Sequence, residues 1–522
     1  MGSLEDMVWV GDIPSLGAAH APSRDALVFA DRGEHVTYAQ LDSRSNAFAD
    51  MVRARELQPG DRVAYLGKNS DLFYAALFGA VRAQVVLVAI NWRLAPPEIR
   101  YQVADSGTRL LICDPDMMES ARQALHGLEN PPLLLPTEGD QGLRALVETT
   151  AAAWPVAHTS DQVILQLYTS GTTGRPKGVL LSHRALSIAR HAELRSPAFA
   201  HVGMGCVALS AMPNFHIGGM SWVLIGLVRL GTVVVTADPS AANMLKLIRK
   251  YHAEHSWMVP TLIRTLVDTL RQDTERVPKL TGMFYGAMPM DDALLRTSME
   301  LFGCSFLQFF GMTEVGGAAT ALAPSDHDLA RPGLLKSVGR PYPGVSVEIR
   351  GSDRRLLDCG QHGEIWIESP TVMNGYWNLA DNTAESVVDG WYATGDGGFL
   401  DEQGFLYLTD RIKDMIVTGG ENVYPVEVEQ VLRLHPAILD VAVVGEPDAR
   451  WGERVVAVVE FRPGAVTATA TEELIAWCRG QIADYKCPKR IDVTPTLPRT
   501  ASGKIQRGVV RQSLIKRAET QA

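Results

Sequence analysis

Residues 168–178 read YTSGTTGRPKG, set between the apolar runs Val163-Ile164-Leu165-Gln166-Leu167 and Val179-Leu180-Leu181. A strand therefore feeds a loop in which Ser/Thr hydroxyls, glycine amides and Lys177 can face phosphate oxygens. Glycines allow the positive φ and the close approach that such a cradle needs. The candidate phosphate contacts are Thr169, Ser170, Gly171, Thr172, Thr173, Gly174 and Lys177. This is not a Walker A loop. Lys177 follows Pro176 and precedes Gly178, where that motif requires Gly before and Ser/Thr after the lysine, so a P-loop ATPase or kinase is demoted.

Outward from this loop, strand-like runs (Arg62 to Leu66, Val85 to Ile90, Thr232 to Thr236) alternate with helix-like ones (Tyr38 to Arg53, Asp71 to Arg82, His183 to Ala192). Such alternation predicts layered α/β sheets that are largely parallel. After Gly363, short strands and Gly/Asp turns predict a small β-rich subdomain. From Ile416 onward, two helices, two strands and a basic tail predict a separate, small, mobile α+β domain. The expected division is 1–410, a hinge at 411–413 around Lys413, and 414–522.

Composition fits a globular protein, with 46% hydrophobic and 21% charged residues among 522. A net charge of -10 argues against a nucleic-acid partner. The apolar stretches from Ala75 and Ser221 are broken by Arg82 and Arg229, so no transmembrane segment is expected. With Glu5 and Asp6 near the start and no basic-apolar leader, a cytoplasmic location is expected. Assembly as a homodimer is left open. The six cysteines lack metal-ligand spacing and are expected to be reduced. From Lys486 to Arg517 basic residues gather against little acid, either as a solvated helix face or as a surface for a polyphosphate.

The loop resembles the signature of the acyl-adenylate-forming superfamily, which includes acyl-CoA synthetases, nonribosomal peptide adenylation domains and beetle luciferases. Further matching segments follow in the family's order: FFGMTEVGG (309–317), GEIWIESPTVMNGYWN (363–378), WYATGD (391–396), DRIKDMIVTGGENVYPVEVE (410–429) and PRTASGKIQR (498–507).

The resemblance implies roles. Thr313 bonds a phosphate oxygen, and Glu314 holds Mg2+, a hard cation that favours oxygen ligands. Phe310 lies against adenine, where relatives usually carry Tyr or Trp. Gly286, Ala287 and Met288 form the turn on the other side of the base, and Gly311 and Met312 continue the nucleotide site. Asp396 accepts both ribose hydroxyls, with Arg411 as a second contact. Lys504 offsets the charge that builds when a carboxylate attacks the α-phosphate. His216 gates the acyl site, and Phe215, Met220, Trp222, Met258 and Phe309 give an apolar pocket without an obvious Lys, Arg or Asp, suited to a fatty or aryl acid. Gly419, Gly420 and Glu421 border the CoA channel, and Trp451 stacks on the CoA adenine or is an ordinary packed tryptophan. At Ala83-Gln84-Val85-Val86 the chain departs from the Leu-Gly-Ala common in relatives. The implied activity is an ATP- and Mg2+-dependent acid:CoA ligase. A carrier-protein-loading enzyme, a luciferase-like oxidase and a non-catalytic nucleotide-binding protein are the alternatives.

Overall fold

A computed structural model describes residues 7–149, 151–158, 161–169, 175–272, 277–288, 290–411, 414, 416–418, 421–448, 451–463, 471–479, 481–482, 484–500 and 503–521. By contacts the chain divides into two units. The first comprises Met1–Val347 with Ile367–Tyr392, and the second Glu348–Trp366 with Ala393–Ala522.

The first unit holds two large sheets. In one, the strands run in the order Gly375–Tyr376, Lys177–Ser182, Val163–Thr169, Val86–Ile90, Arg62–Leu66, Thr108–Cys113 and Leu133–Pro136. Val86–Ile90 is buried at every residue, as a parallel strand covered on both faces must be. The helix before it, Asp71–Ala83, starts where Ser70 Oγ accepts the Phe73 N–H at 3.2 Å. It stops at Gln84, which takes a left-handed φ of 60°. This is the conformation that favours glycine, so the departure noted at this position carries a local backbone cost. Asp71, the helix's first residue, is buried and held by Arg44 (2.6 Å) and Arg144 (2.8 Å).

The other sheet has nine strands, in the order Arg340–Pro341, Gly317–Leu322, Ser305–Met312, Gly282–Gly286, His255–Met258, Val207–Ser210, Thr232–Val235, Asp25–Phe29 and Glu34–Thr37. Its middle is parallel, while Ser305–Met312 and Gly317–Leu322 pair antiparallel. The stretches from Ala75 and from Ser221 are each a buried helix followed by a buried strand. Among the described residues no helix is long and apolar enough to cross a membrane.

The short strands expected after Gly363 divide: Gly375–Tyr376 joins the first large sheet, while in the second unit residues 363–366 run beside 393–400, and the latter pair with Leu406–Arg411. A second sheet is built on the antiparallel pair Ile438–Asp448 and Gly452–Phe461. Because side chains alternate along a strand, Val441 and Val443 join a core with Val428, Leu432 and Leu474, while Ala442 and Val444 face Val510 and Leu514. The basic tail is largely consumed by ion pairs. Lys486 meets Glu427 (2.6 Å), Arg490 meets Glu446 (3.0 Å), Arg499 meets Asp440 (2.7 Å), Arg507 meets the buried Glu429 (2.7 Å) and Arg511 meets Glu453 (2.6 Å). The six cysteines are free thiols; Cys359, in this unit, is exposed, and the others are buried or half-buried.

Three buried histidines of the first unit make a prediction. Burial holds His183, His255 and His327 down at about 4, against 6.5 for a free imidazole. Each stays neutral in the folded chain, whereas the unfolded chain takes up a proton near pH 6.5. The stability they confer is therefore complete above that pH and is lost as pH falls toward 4, at up to about 1.4 kcal/mol per pH unit for each group. The neutral His327 donates from Nδ1 to the Ala323 carbonyl (2.9 Å), and its Nε2 accepts from Tyr285 Oη (3.0 Å). Denaturant melts between pH 6.5 and 4.5 should show a shallower loss for His327→Gln; an unchanged slope would remove this residue from the account.

Candidate active site

The antiparallel hairpin formed by Val163–Thr169 and Lys177–Ser182 places Thr169 opposite Lys177. Gly178 allows the hairpin to close, since a Cβ there would lie 2.6 Å from Gln166 Nε2. Ser170, Gly171, Thr172, Thr173 and Gly174 lie outside the described residues.

Glu314 sits on a single 3-10 turn, Thr313–Val315, that joins the antiparallel strands Ser305–Met312 and Gly317–Leu322. The turn ends at Gly316 with φ of 72°, and the Glu314 carbonyl accepts the Met373 N–H at 2.8 Å. Its buried carboxylate accepts from Thr169 Oγ1 at 3.0 Å and from Tyr376 Oη at 3.4 Å, both on Oε1. Lys177 Nζ lies 4.8 Å from the centre of the Tyr376 ring. Three predicted residues, Thr169, Lys177 and Glu314, thus meet at one corner, where Glu314 and Lys177 also touch Tyr376, a residue the motifs did not single out. Burial, and then the Glu314 charge, push the Tyr376 phenol up to about 12, so it remains a neutral donor near neutral pH.

One carboxylate and one hydroxyl, both hard oxygen donors, suit Mg2+, which commonly takes one or two carboxylates together with substrate phosphates. Among the described residues no cluster of three or more His, Cys, Asp or Glu offers a competing metal site.

Beside this corner lie the predicted base contacts. Gly286 ends its strand opposite Phe309, where a Cβ would come within 2.5 Å of the Phe309 carbonyl oxygen. Ala287 follows at φ of 64° and is exposed, and Met288 is half-buried. Phe310 is buried, and the ladder shifts register between Phe310 and Gly311. A side chain on Gly311 would overlap the Gly317 carbonyl, so the position admits only glycine without a shift of that strand. Met312 is half-buried at the strand's end.

His216 caps the helix Ile217–Val228 through its backbone, its carbonyl accepting from Met220 N at 3.1 Å, and its ring lies 4.5 Å from that of Phe215. Met220 is fully buried. Trp222 commits its indole N–H to the Leu209 carbonyl (2.9 Å) and packs 4.7 Å from the Phe284 ring, which in turn lies 5.8 Å from Phe309. Met258 is buried in a core cluster with Met244, Ile263 and Tyr285.

In the second unit Asp396 and Arg411 are cross-strand partners. Gly395 turns at φ of 71°, its N–H donating to Glu364 Oε1 (3.0 Å), and the Asp396 N–H donates to Thr394 Oγ1 (3.0 Å). The Arg411 side chain lies outside what is described, as do Lys413, Gly419, Gly420 and the side chain of Glu421. Lys504 is exposed on a tight turn in which its N–H donates to Thr500 Oγ1 (3.1 Å) and its carbonyl accepts from Thr500 N (2.7 Å). Trp451 is 44% exposed.

Residues 16–377 match the model of the AMP-binding enzyme family, and residues 427–504 that of the AMP-binding enzyme C-terminal domain. The chain belongs to this family of adenylate-forming enzymes. It is 38% identical, over 95% of both chains, to the fatty acid–[acyl-carrier-protein] ligase ScoC of Streptomyces coeruleorubidus. It is 35% identical to a feruloyl-CoA synthase of an Amycolatopsis species, over 92% of this chain and 94% of that one. The o-succinylbenzoate CoA synthetase of Bacillus subtilis, solved with its acyl-adenylate intermediate, superposes with a TM-score of 0.84 at 29% identity, covering 96% of this chain and 98% of that one. The fold is the mixed α/β architecture of that group, with a large N-terminal and a small C-terminal domain.

Proposed function

We propose that this chain is an ATP-dependent acid–thiol ligase that activates an apolar carboxylic acid, fatty or aryl, and passes the acyl group to CoA. The observation that carries the reading is the meeting of Thr169, Lys177 and Glu314 at one corner. In the first step a carboxylate oxygen attacks the α-phosphorus of ATP, and the bond to the departing pyrophosphate breaks. Lys177 and Thr169 hold phosphate oxygens, and Lys504 offsets the charge built on the α-phosphate. Glu314, with Thr169 nearby, would hold Mg2+, whose charge would offset that of the phosphates.

In the second step the CoA sulfur attacks the acyl carbonyl carbon, and the carbon–oxygen bond to AMP breaks with its electron pair going to AMP. Turning of the C-terminal segment about Lys413 between the steps, and stacking of Trp451 on the CoA adenine, are parts of the same proposal, as is a cytoplasmic setting where ATP and CoA are at hand.

The acceptor has a second candidate, because ScoC is named as a carrier-protein ligase. Incubation with ATP, Mg2+ and a panel of fatty and aryl acids, with either CoA or a phosphopantetheinyl carrier protein, tests both. The expected result is stoichiometric AMP and acyl-CoA with CoA, at a rate well above that with the carrier. Acyl transfer to the carrier alone would replace the CoA reading, and AMP formation with neither would overturn the ligase.

A further inference from the structure

Helix His183–Arg195 buries Arg190 almost completely. Its Nε and Nη2 donate to Glu193 at 2.5 and 2.7 Å, but Nη1 is buried with no hydrogen-bond partner. Helix Ile217–Val228, which packs on the strand Gly317–Leu322, carries Ser221 between Met220 and Trp222. Ser221 Oγ is likewise buried and without a partner. Both groups flank one point. A Cβ built on Gly317, whose φ is 128°, would lie 3.5 Å from Ser221 Oγ, 3.9 Å from Ile217 Cγ1 and 4.0 Å from Arg190 Nη2.

Gly317 lies three residues beyond Glu314 and pairs with Met312, and Ile217 follows His216 directly. Ser221 and Arg190 thus lie near the turn that carries Glu314 and the segment that carries His216. A buried donor left unpaired costs about 1–3 kcal/mol, and native interiors hold few. Ser221 Oγ faces Gly317 directly, and Arg190 comes to the same glycine through Nη2, which holds Glu193, with its unpaired Nη1 on the same guanidinium; two such side chains against one glycine point to an acceptor that arrives with a ligand. Charge agrees. Arg229 is also buried and donates to the carbonyls of Glu193 (3.1 Å), Val202 and Ile225 (both 3.3 Å). Arg190, Glu193 and Arg229 together therefore carry one positive charge in excess.

We infer that Ser221 and Arg190 form a specificity anchor for an oxygen acceptor on the tail of the acid, so that the substrate is apolar along its length but oxygenated toward its far end. The inference rests on the ligase reading and names its substrate class. A carboxylate or a neutral ether or carbonyl oxygen would satisfy the same donors.

Acid-dependent pyrophosphate exchange should be measured with matched acids: para-methylcinnamate, para-methoxycinnamate and para-carboxycinnamate, and octanoate, ω-methoxyoctanoate and octanedioate. In at least one series the wild type should prefer an oxygenated member by about tenfold or more in kcat/KM, because a hydrocarbon leaves the donors unpaired. Whichever oxygenated tail ranks first identifies the acceptor. Ser221→Ala should cut the preference several-fold, lowering kcat/KM for the oxygenated member more than for the hydrocarbon. Since Arg190 alone cannot be removed without stranding Glu193, the double variant Arg190→Met/Glu193→Met serves as the second probe; a buried pair exchanged for apolar groups of similar volume is commonly tolerated. It should abolish the preference, with its thermal melt compared with that of the wild type as the control of folding. A wild type that uses hydrocarbon and oxygenated acids equally keeps the ligase and overturns the anchor. A wild type that activates no acid overturns both.

Discussion

Lys504→Ala is expected to slow acid-dependent pyrophosphate exchange by about a hundredfold or more, the scale on which one preorganised charge partner acts. Chemically supplied acyl-AMP should still be converted to thioester at close to the wild-type rate, because the ammonium is required only while charge builds on the α-phosphate. The side chain is exposed and its turn is closed by backbone and Thr500 bonds that alanine keeps, so the fold should not suffer. Nearby Val510 and Leu514 remain to anchor the C-terminal helix. Equal losses in the two assays would make Lys504 structural.

Glu314→Gln is expected to raise the Mg2+ concentration needed for half-maximal activity by about tenfold and to lower the rate at saturating metal. The amide keeps the shape and can still accept from Thr169 and Tyr376, but it loses the negative charge that holds a hard cation. Tyr376→Phe separates the two contributions. It removes one donor to Glu314 while leaving both the carboxylate and the ring beneath Lys177 in place, so its Mg2+ midpoint should stay within a few-fold of wild type. Coincident Mg2+ titrations for wild type and Glu314→Gln would take Glu314 out of the metal site.

Elements whose signal is local were legible in the sequence. The run Val86–Ile90 and the helix after Ser70 announce themselves through continuous apolar character and a cap, and the structure sets them within a residue or two of the reading. Thr169 and Glu314, which meet, were legible because each lies in an unbroken string of motif residues. Tyr376 was not: it lay inside a recognised segment, but its bond to a residue 62 positions away has no local mark. Arg190 and Glu193 were missed for a related reason. An Arg and a Glu three apart on a helix read as a solvated surface pair, and only the tertiary placement of that helix buries them. Gln84 shows the converse, a left-handed cap that a glycine would have announced and a glutamine conceals.

The distribution of thiols has a practical consequence. Burial pushes Cys113, Cys304 and Cys478 up to about 12 and Cys206 to about 11, and it raises Cys487 as well. At neutral pH these sulfurs are both shielded and almost wholly protonated, and a maleimide reacts with accessible thiolate. Cys359 alone is exposed. A fluorophore should therefore attach at one position of the natural sequence, on the second unit, without any cysteine having to be removed.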